Sequence, residues 1–186
     1  MRTLRTERLL LRDWTAADRI PFARMNADPR VMEFLGRPLA REESDRLADR
    51  VEFHFRERGF GLCAVELLEN GEFIGFIGLA VPAFEAAFTP CVEIGWRLAA
   101  PYWGRGLATE GAREIVLYAF DELKLPELVS ITAVGNARSR RVMEKLGMMR
   151  DPSDDFDHPN LPAGHALQRH VLYRLSREKR RNSRAQ

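Results

Sequence analysis

The stretch Trp103-Gly104-Arg105-Gly106-Leu107-Ala108-Thr109-Glu110 (WGRGLATE) joins a predicted strand to a predicted helix. Its two glycines permit backbone angles that other residues avoid and allow the main chain to approach a ligand closely. The first turn of the following helix adds free N–H groups and the positive end of the helix dipole. Such a loop binds phosphate or pyrophosphate without charged side chains. The same pattern also occurs as a purely structural turn, and this stretch alone leaves both interpretations open.

Two common phosphate-binding motifs do not fit the stretch. No Lys-Ser or Lys-Thr pair follows the glycines, so the loop is not a P-loop. A dinucleotide fingerprint needs a third glycine and a place near the start of a βαβ unit, and this stretch has neither. The ligand of the loop must therefore be inferred from the neighbouring segments of the sequence.

The flanking sequence predicts a mixed α/β sheet. Apolar residues alternate with Glu93, Gly95 and Arg97 from Val92 to Leu98, which is typical of a strand with two different faces. The turn Asn70-Gly71 between two apolar runs predicts a β-hairpin. The remaining predicted elements are a strand at 9–11, helices at 15–26, 41–58, 107–123 and 139–147, and strands at 128–134, 148–150 and 170–175.

Length and composition predict one cytoplasmic domain. The chain has 186 residues, 45% of them apolar and 30% charged, with no run long enough for a membrane span. We place the domain at 1–176 and expect 177–186 to be a flexible basic tail. A net charge of +2 argues against a nucleic-acid partner, with an RNA-binding tail as the alternative. Cys63 and Cys91 are expected to be buried free thiols.

A second motif follows the glycine loop by about thirty residues. The segment NARSRRVMEKLGM (136–148) opens a helix with Asn136 near its cap and closes it with Leu-Gly. The pair of motifs resembles the GNAT superfamily of N-acetyltransferases, and more closely its branch of ribosomal-protein N-terminal acetyltransferases. The stretches TERLLLRDW, ADPRVMEFLG and EIGWRLAAPYWGRGLATEG match the same branch, so the resemblance covers nearly the whole chain.

This resemblance implies a fold and a co-substrate. The GNAT fold is a single mixed, mostly antiparallel sheet of about six to seven strands, splayed at the middle and flanked by about four helices. The co-substrate is acetyl-CoA, no metal is expected, the acceptor is an amine, and homodimerisation stays open. Trp103 departs from the Gln or Arg that opens the loop in many relatives. The residues that the resemblance assigns to CoA are Ile94, Trp96, Leu98, Trp103, Gly104, Arg105, Gly106, Leu107, Ala108, Thr109, Asn136 and Ser139.

Two residues are catalytic candidates. Glu93 is the candidate base, and because an ordinary glutamate pKa lies near 4.3, we expect it to act through water or to bind the ammonium group. The alternative is a solvated glutamate or one paired with Arg97. Many relatives have a tyrosine acid at the position of Met143, which has no proton to donate. Ser139 is the candidate replacement, with helix capping or CoA contact as its alternative.

The acceptor site is assigned by resemblance to the final loop and the early helical turn. The candidates are Phe34, Asp155, Asp157 and His158, and the aspartates are expected to attract a cationic amine. The alternative is that Asp and Pro simply form turns there. The histidines lack the spacing of a zinc site.

The resulting functional prediction is an enzyme that transfers an acetyl group from acetyl-CoA to a primary amine by direct attack on the thioester. The acceptor is a protein or peptide N-terminal amine or a small-molecule amine. The alternative is a CoA-binding module whose catalysis has decayed.

Overall fold

The computed structural model describes residues 3–184, which form two compact units. Among the described residues, the first unit comprises 3–80 and 95–115, and the second comprises 81–94 and 116–184. Strand β5, Glu93–Leu98, therefore begins in the second unit and ends in the first. The predicted division between a domain at 1–176 and a tail stays a prediction.

The first unit contains the N-terminal strands and helices. The strands are β1 (Leu4–Arg5), β2 (Leu9–Arg12), β3 (Leu62–Leu67), β4 (Glu72–Ala80) and the end of β5. The helices are α1 (Arg19–Ala27), α2 (Pro29–Met32), α3 (Arg41–Arg58) and the greater part of α4 (Leu107–Leu117). β1, β2, β3 and β4 pair antiparallel in chain order.

Local sequence signals explain several boundaries in this unit. The Thr15 N–H donates to the Asp18 carboxylate over 2.8 Å, which fixes the entry to α1 as the capping pattern predicts. α3 ends at Gly59, whose φ of +74° suits the left-handed C-terminal cap. The Asn70-Gly71 turn joins β3 and β4, with Gly71 at φ +73°. These predictions from the sequence are confirmed.

An aromatic core packs the helices of the first unit onto β4. Phe22 and Met25 of α1 pack with Ala48 of α3 and Phe76 of β4, all of them buried. Trp14 lies edge-on to Phe22, with ring centroids 4.9 Å apart, and its Nε1 donates to the Leu62 carbonyl oxygen over 2.7 Å. The indole is thus packed and hydrogen-bonded at once, as a buried Trp requires.

Gly75 allows β5 to lie close against β4. Its φ is +143°, and a Cβ atom there would lie 2.9 Å from the Leu98 Cα and still closer to the Arg97 carbonyl oxygen. The Ala99 N–H donates to the Ile74 carbonyl oxygen over 2.9 Å at the same place. A side chain at position 75 would therefore push the end of β5 away from its neighbour.

The second unit contains the first two residues of β5 and the strands and helices that follow α4. Its strands are β6 (Glu127–Ala133), β7 (Met149–Arg150), β8 (Phe156–Asp157) and β9 (Arg169–Ser176). α4 passes into a π-helical turn at Tyr118–Glu122, and α5 (Ala137–Lys145) and α6 (Arg177–Arg184) follow. β6 runs parallel to β5 and antiparallel to β9, with Glu127 opposite Ser176 and Ala133 opposite His170.

The predicted fold class is confirmed. The strand order β1-β2-β3-β4-β5-β6-β9-β7 is a mixed, mostly antiparallel sheet, with β8 paired to β9. The described residues form nine strands and six α-helices, more than predicted, because the two-residue strands β1 and β8, the four-residue helix α2 and the C-terminal helix α6 add to the predicted elements. Residues 177–184 of the predicted flexible tail form α6. No helix in the described part of the chain combines the length and apolar character needed to cross a membrane.

The close approach at Gly75 gives the first testable prediction. Gly75→Ala should lower the free energy of unfolding by about 2 kcal/mol or more, because it adds a steric clash to an unfavourable backbone angle. Gly95→Ala is the control on β5, since a Cβ atom there meets nothing within 4 Å. Urea denaturation measures both, and equal stability of the two variants would contradict the packing described here.

Candidate active site

The glycine loop of the first unit has the backbone geometry of an anion-binding turn. Gly104 and Gly106 adopt φ values of +72° and +81°, in the left-handed region that favours glycine. α4 begins at Leu107, and the Glu110 N–H donates to the Gly106 carbonyl oxygen over 3.0 Å as its first helical bond. The loop and the helix N-terminus are therefore continuous, as the sequence predicts.

Six consecutive main-chain N–H groups of this loop have no protein acceptor. They belong to residues 104–109, and none of them donates a hydrogen bond within residues 3–184. The helix dipole adds positive potential at the same end of α4. Unpaired N–H groups at a helix N-terminus bind phosphate oxygens without help from lysine or arginine.

Contacts within the first unit hold the loop in place. The Trp103 Nε1 donates to the Leu98 carbonyl oxygen over 2.8 Å, which ties the loop to the end of β5. The Arg8 guanidinium donates from Nη1 to the Arg105 carbonyl oxygen over 3.1 Å and from Nε to Glu110 over 2.7 Å. Glu110 lies in the first turn of α4, where a carboxylate is favourable. Arg8, in the bend just before β2, therefore supports the loop, a role that the sequence analysis missed.

The predicted CoA residues on β5 differ in how far their side chains are exposed to solvent. Ile94 and Leu98 are 0% and 5% exposed, so their side chains belong to the core and only their backbone is available to a ligand. Trp96 is partly exposed. Among the loop residues, Leu107 and Thr109 are buried, whereas Gly104, Arg105 and Gly106 are exposed.

In the second unit, β5 departs from β6 after a single register pair. Glu93 lies opposite Val129, and the Val129 N–H donates to the Val92 carbonyl oxygen over 3.0 Å. A parallel ladder would next join the Ile131 N–H to the Ile94 carbonyl oxygen. That oxygen instead accepts from the Ser130 hydroxyl over 2.9 Å. A side chain thus replaces the ladder bond at the predicted splay.

Glu93 lies at this departure, and its environment changes its chemistry. Burial raises the pKa of its carboxyl to about 7, and a hydrogen bond from the Ile131 N–H opposes that rise only in part. The residue still retains some exposure to solvent. A carboxylate with a pKa near neutrality accepts a proton directly at physiological pH. The sequence-based expectation of an ordinary, weak base is therefore wrong for this side chain.

The predicted residues of α5 have different positions. The Asn136 Oδ1 accepts from the Ser139 N–H over 3.2 Å, and its Nδ2 donates to the Thr132 hydroxyl over 3.0 Å, so Asn136 caps α5. The Ser139 hydroxyl has no hydrogen-bond partner within residues 3–184, and the residue is partly exposed. Met143, in the position of the expected tyrosine, is 0% exposed and packs in the core.

The acidic loop carries its own counter-charges. Asp155 pairs with Arg150, and Asp157 pairs with Arg169 at 3.2 Å. The Arg150 guanidinium lowers the pKa of the Asp155 carboxyl, which is therefore ionised at neutral pH. These pairs reduce the negative charge that the loop presents, and attraction of an amine by its field stays a prediction. Phe34, also predicted at the acceptor, is partly exposed just beyond α2 in the first unit.

His158 lies in an aromatic cluster that the sequence analysis missed. Its ring is 4.7 Å from Phe84 and 4.9 Å from His170, and Phe156 stacks on Phe84 at 6.2 Å. Burial lowers the pKa of both imidazoles, so both are neutral at pH 7. Phe84 and Phe156 come from segments far apart in sequence, which left no local pattern to detect.

The two cysteines are free thiols, as predicted, but only Cys63 is buried; Cys91 is partly exposed, so the prediction of burial is wrong for that residue. Burial raises the pKa of Cys63 to about 12 and that of Cys91 to about 11. Both remain protonated at neutral pH and are poor nucleophiles.

Comparisons with known proteins agree with this geometry. The sequence model of the acetyltransferase (GNAT) domain matches residues 8–149. FsC-acetyl coenzyme A-N(2)-transacetylase of Aspergillus fumigatus is 33% identical over 183 residues, covering 95% of this chain and 77% of that protein. A putative ribosomal N-acetyltransferase of Bacillus subtilis is 39% identical over 59 residues, 32% of each chain. The crystal structure of an acetyltransferase from Agrobacterium tumefaciens superposes with a TM-score of 0.75 at 31% identity, covering 94% of both chains.

The family match spans the loop, β5 and all of α5, which are the segments that carry the unpaired N–H groups, Glu93 and Ser139. The chain belongs to the GNAT acetyltransferase family and is an acetyl-CoA-dependent N-acetyltransferase.

Proposed function

We propose that the loop at residues 103–109 binds the pyrophosphate of acetyl-CoA and that Glu93 is the base for acetyl transfer to an α-amine. The six unpaired N–H groups of the loop are the observation that carries the first half of this proposal. The pKa of Glu93, raised to about 7, carries the second half. Trp96 and the backbone at Ile94 and Leu98 then face the pantetheine arm.

An ammonium group must lose a proton before its nitrogen can attack the thioester. Glu93 takes a proton from the ammonium, the freed nitrogen attacks the thioester carbonyl carbon, and a C–N bond forms while the carbonyl oxygen becomes an oxyanion. A main-chain N–H of β5 between Gly95 and Leu98 meets that oxyanion. Collapse of the intermediate breaks the C–S bond, and the second proton of the attacking nitrogen passes to the departing CoA thiolate through Ser139 or water, so that an amide and a neutral thiol are formed.

The pKa of Glu93 determines which class of amine it can readily deprotonate. An α-amine has a pKa of about 7.7–8.0 and a lysine amine one of about 10.4. The proton passes from the ammonium group to Glu93, whose pKa is about 7. The pKa of an α-amine exceeds that of Glu93 by about one unit, and the pKa of a lysine amine exceeds it by more than about three units, so the transfer is much less favourable from lysine. An α-amine acceptor is also consistent with the N(2) position named for the Aspergillus relative and with the putative ribosomal N-acetyltransferase.

The loop assignment predicts the effect of a proline. Gly106→Pro removes one phosphate-facing N–H and is incompatible with the φ of +81°. Affinity for acetyl-CoA should fall about tenfold or more, measured by calorimetry. Gly36→Pro is the matched control, since Gly36 also has a positive φ, +105°, but lies outside the loop. Unchanged affinity in a folded Gly106→Pro protein would remove the loop from the CoA site.

The role of Glu93 predicts a change in the pH–rate profile. The wild-type kcat/KM should rise with pH through about 7 as Glu93 ionises, and it should stop rising once the acceptor ammonium itself loses its proton. Glu93→Gln should lower kcat about 100-fold and lose the rise near pH 7, with acetyl-CoA affinity preserved. Initial rates against a panel of α-amines and lysine-type amines measure this. A profile that Glu93→Gln leaves intact would exclude Glu93 as the base, and tight acetyl-CoA binding without turnover on any amine would favour a decayed module.

Glu93 also predicts a pH dependence of stability. Its pKa is raised in the folded state from 4.5 to about 7, so the folded protein holds this proton more tightly than the unfolded chain. The resulting stability is complete below pH 4.5 and is lost as the pH rises through 7. Relative to Glu93→Gln, wild type should therefore lose about 3 kcal/mol of unfolding free energy between pH 4 and pH 8. Urea denaturation at both pH values tests this, and a constant difference between the two proteins would contradict the raised pKa.

A further inference from the structure

Ser130 places a hydroxyl group in the interior of the second unit. It lies in the middle of β6, where Leu128, Val129 and Ala133 are buried apolar residues, and it is itself only 2% exposed. A hydroxyl group at such a position is unfavourable unless it is hydrogen-bonded. The Ser130 hydroxyl donates to the Ile94 carbonyl oxygen over 2.9 Å. Its partner is therefore a main-chain oxygen of the neighbouring strand.

The Ile94 carbonyl oxygen is the acceptor that the next main-chain bond of β5 and β6 would use. A regular parallel ladder would join it to the Ile131 N–H. Here both groups have another partner, because the oxygen accepts from the Ser130 hydroxyl and the N–H hydrogen-bonds the Glu93 carboxylate. One side chain from each strand thus replaces the bond between the two main chains. A main-chain N–H carries a single hydrogen, so a bond to Ile94 would compete with the bond to Glu93.

The charged form of Glu93 depends on this one donor. Burial raises the pKa of the carboxyl to about 7, and within the described residues the Ile131 N–H is the group that lowers it. The neighbouring Cys91 stays protonated at neutral pH, because burial and the charge of Glu93 raise the pKa of its thiol to about 11. Glu127 and Arg174, which also act on Cys91, pair with each other over 2.9 Å. Loss of the Ile131 hydrogen bond would therefore act directly on Glu93.

We propose that Ser130 is a positioning residue for Glu93: its hydroxyl holds the Ile94 carbonyl oxygen and so leaves the Ile131 N–H free to bind the Glu93 carboxylate. This inference rests on the proposed function, because Glu93 is the base only in that proposal. Without the hydroxyl, the Ile94 oxygen is a buried acceptor that lacks a partner, and the Ile131 N–H is the ladder donor placed to satisfy it. The carboxylate then loses its donor, and its protonated form becomes more favourable.

Titration of the Glu93 carboxyl tests this role without any turnover. NMR of protein labelled with carbon-13 in its glutamate carboxyls follows each carboxyl with pH, and Glu93→Gln identifies the Glu93 resonance by removing it. In the wild type this resonance should titrate near pH 7. Ser130→Ala should raise the pKa of Glu93 by about one unit or more, which is the effect of losing a hydrogen bond to a charged group. An unchanged pKa in the folded Ser130→Ala protein would overturn the proposal.

The Ile131 amide resonance reports the exchange of partners directly. In the wild type it should move as Glu93 titrates, because an ionised carboxylate is a stronger acceptor than a protonated carboxyl. In Ser130→Ala it should no longer follow the titration, since the N–H then bonds the Ile94 carbonyl oxygen. An Ile131 resonance that follows the Glu93 titration equally in both proteins would contradict the proposed exchange.

Two further substitutions assign the effect to the Ser130 hydroxyl. Ser130→Thr keeps a hydroxyl on a residue that suits a strand, and it should leave the pKa of Glu93 at its wild-type value. Thr132→Val is the matched control, because it removes another buried hydroxyl from β6, one that bonds Asn136 and not β5. It should not change the pKa of Glu93. If Ser130→Thr matched Ser130→Ala, or if Thr132→Val raised the pKa as much, the proposal would be refuted.

The pH–rate profile measures the consequence for acetyl transfer. In Ser130→Ala the rise of kcat/KM should move to higher pH by as much as the pKa of Glu93 does, which lowers the rate at pH 7 about fivefold. A merely structural defect would lower the rate at every pH and leave the profile in place, and that outcome would count against the proposal. If Glu93→Gln leaves the rate intact, the proposed function fails, and the NMR titration still decides the role of Ser130.

Discussion

The hydrogen-bond ladder between β5 and β6 ends where Ile94 would continue it, and the surroundings of Glu93 depend on that ending. The Ser130 hydroxyl satisfies the Ile94 carbonyl oxygen, so the strands part without leaving a buried acceptor unpaired. The Ile131 N–H, released from the ladder, interacts with the Glu93 carboxylate. One serine side chain thus compensates for the lost ladder bond, and the released N–H is available to Glu93.

The first unit leaves several hydrogen-bond donors without a partner among the described residues. They are the N–H groups of residues 104–109 and the Nε of Arg97, whereas Arg8, Asp18 and Glu110 are engaged in ion pairs or hydrogen bonds. Unpaired groups lower the stability of a folded protein unless a ligand completes them. The loop N–H groups are the ones that we propose to pair with the pyrophosphate of acetyl-CoA.

The paired aspartates show why charge alone is a poor guide to an acceptor site. The sequence from Asp151 to His165 is acidic, and it predicts a negative field. The fold places Arg150, Arg169 and Arg174 against that loop, and the ion pairs offset the charge. What remains distinctive beside the loop is the aromatic cluster around His158, whose neutral imidazoles contribute shape rather than charge.

The sequence by itself determined most of the elements and the glycine loop, because both depend on local properties. Strand alternation, Asn70-Gly71 and the two loop glycines act through neighbouring residues in the chain, and the structure shows each of them where the sequence predicts it. Only the tertiary structure decided the pKa of Glu93, the absence of an acidic partner for Arg97 among the described residues, and the pairing of the aspartates. Burial and charge compensation arise from residues distant in sequence, such as Ile131 for Glu93 or Asn26 and Phe76 for Arg97. The pattern of a single strand carries no information about those neighbours, and so it gave Glu93 an ordinary pKa and made Arg97 no more than a possible partner of Glu93.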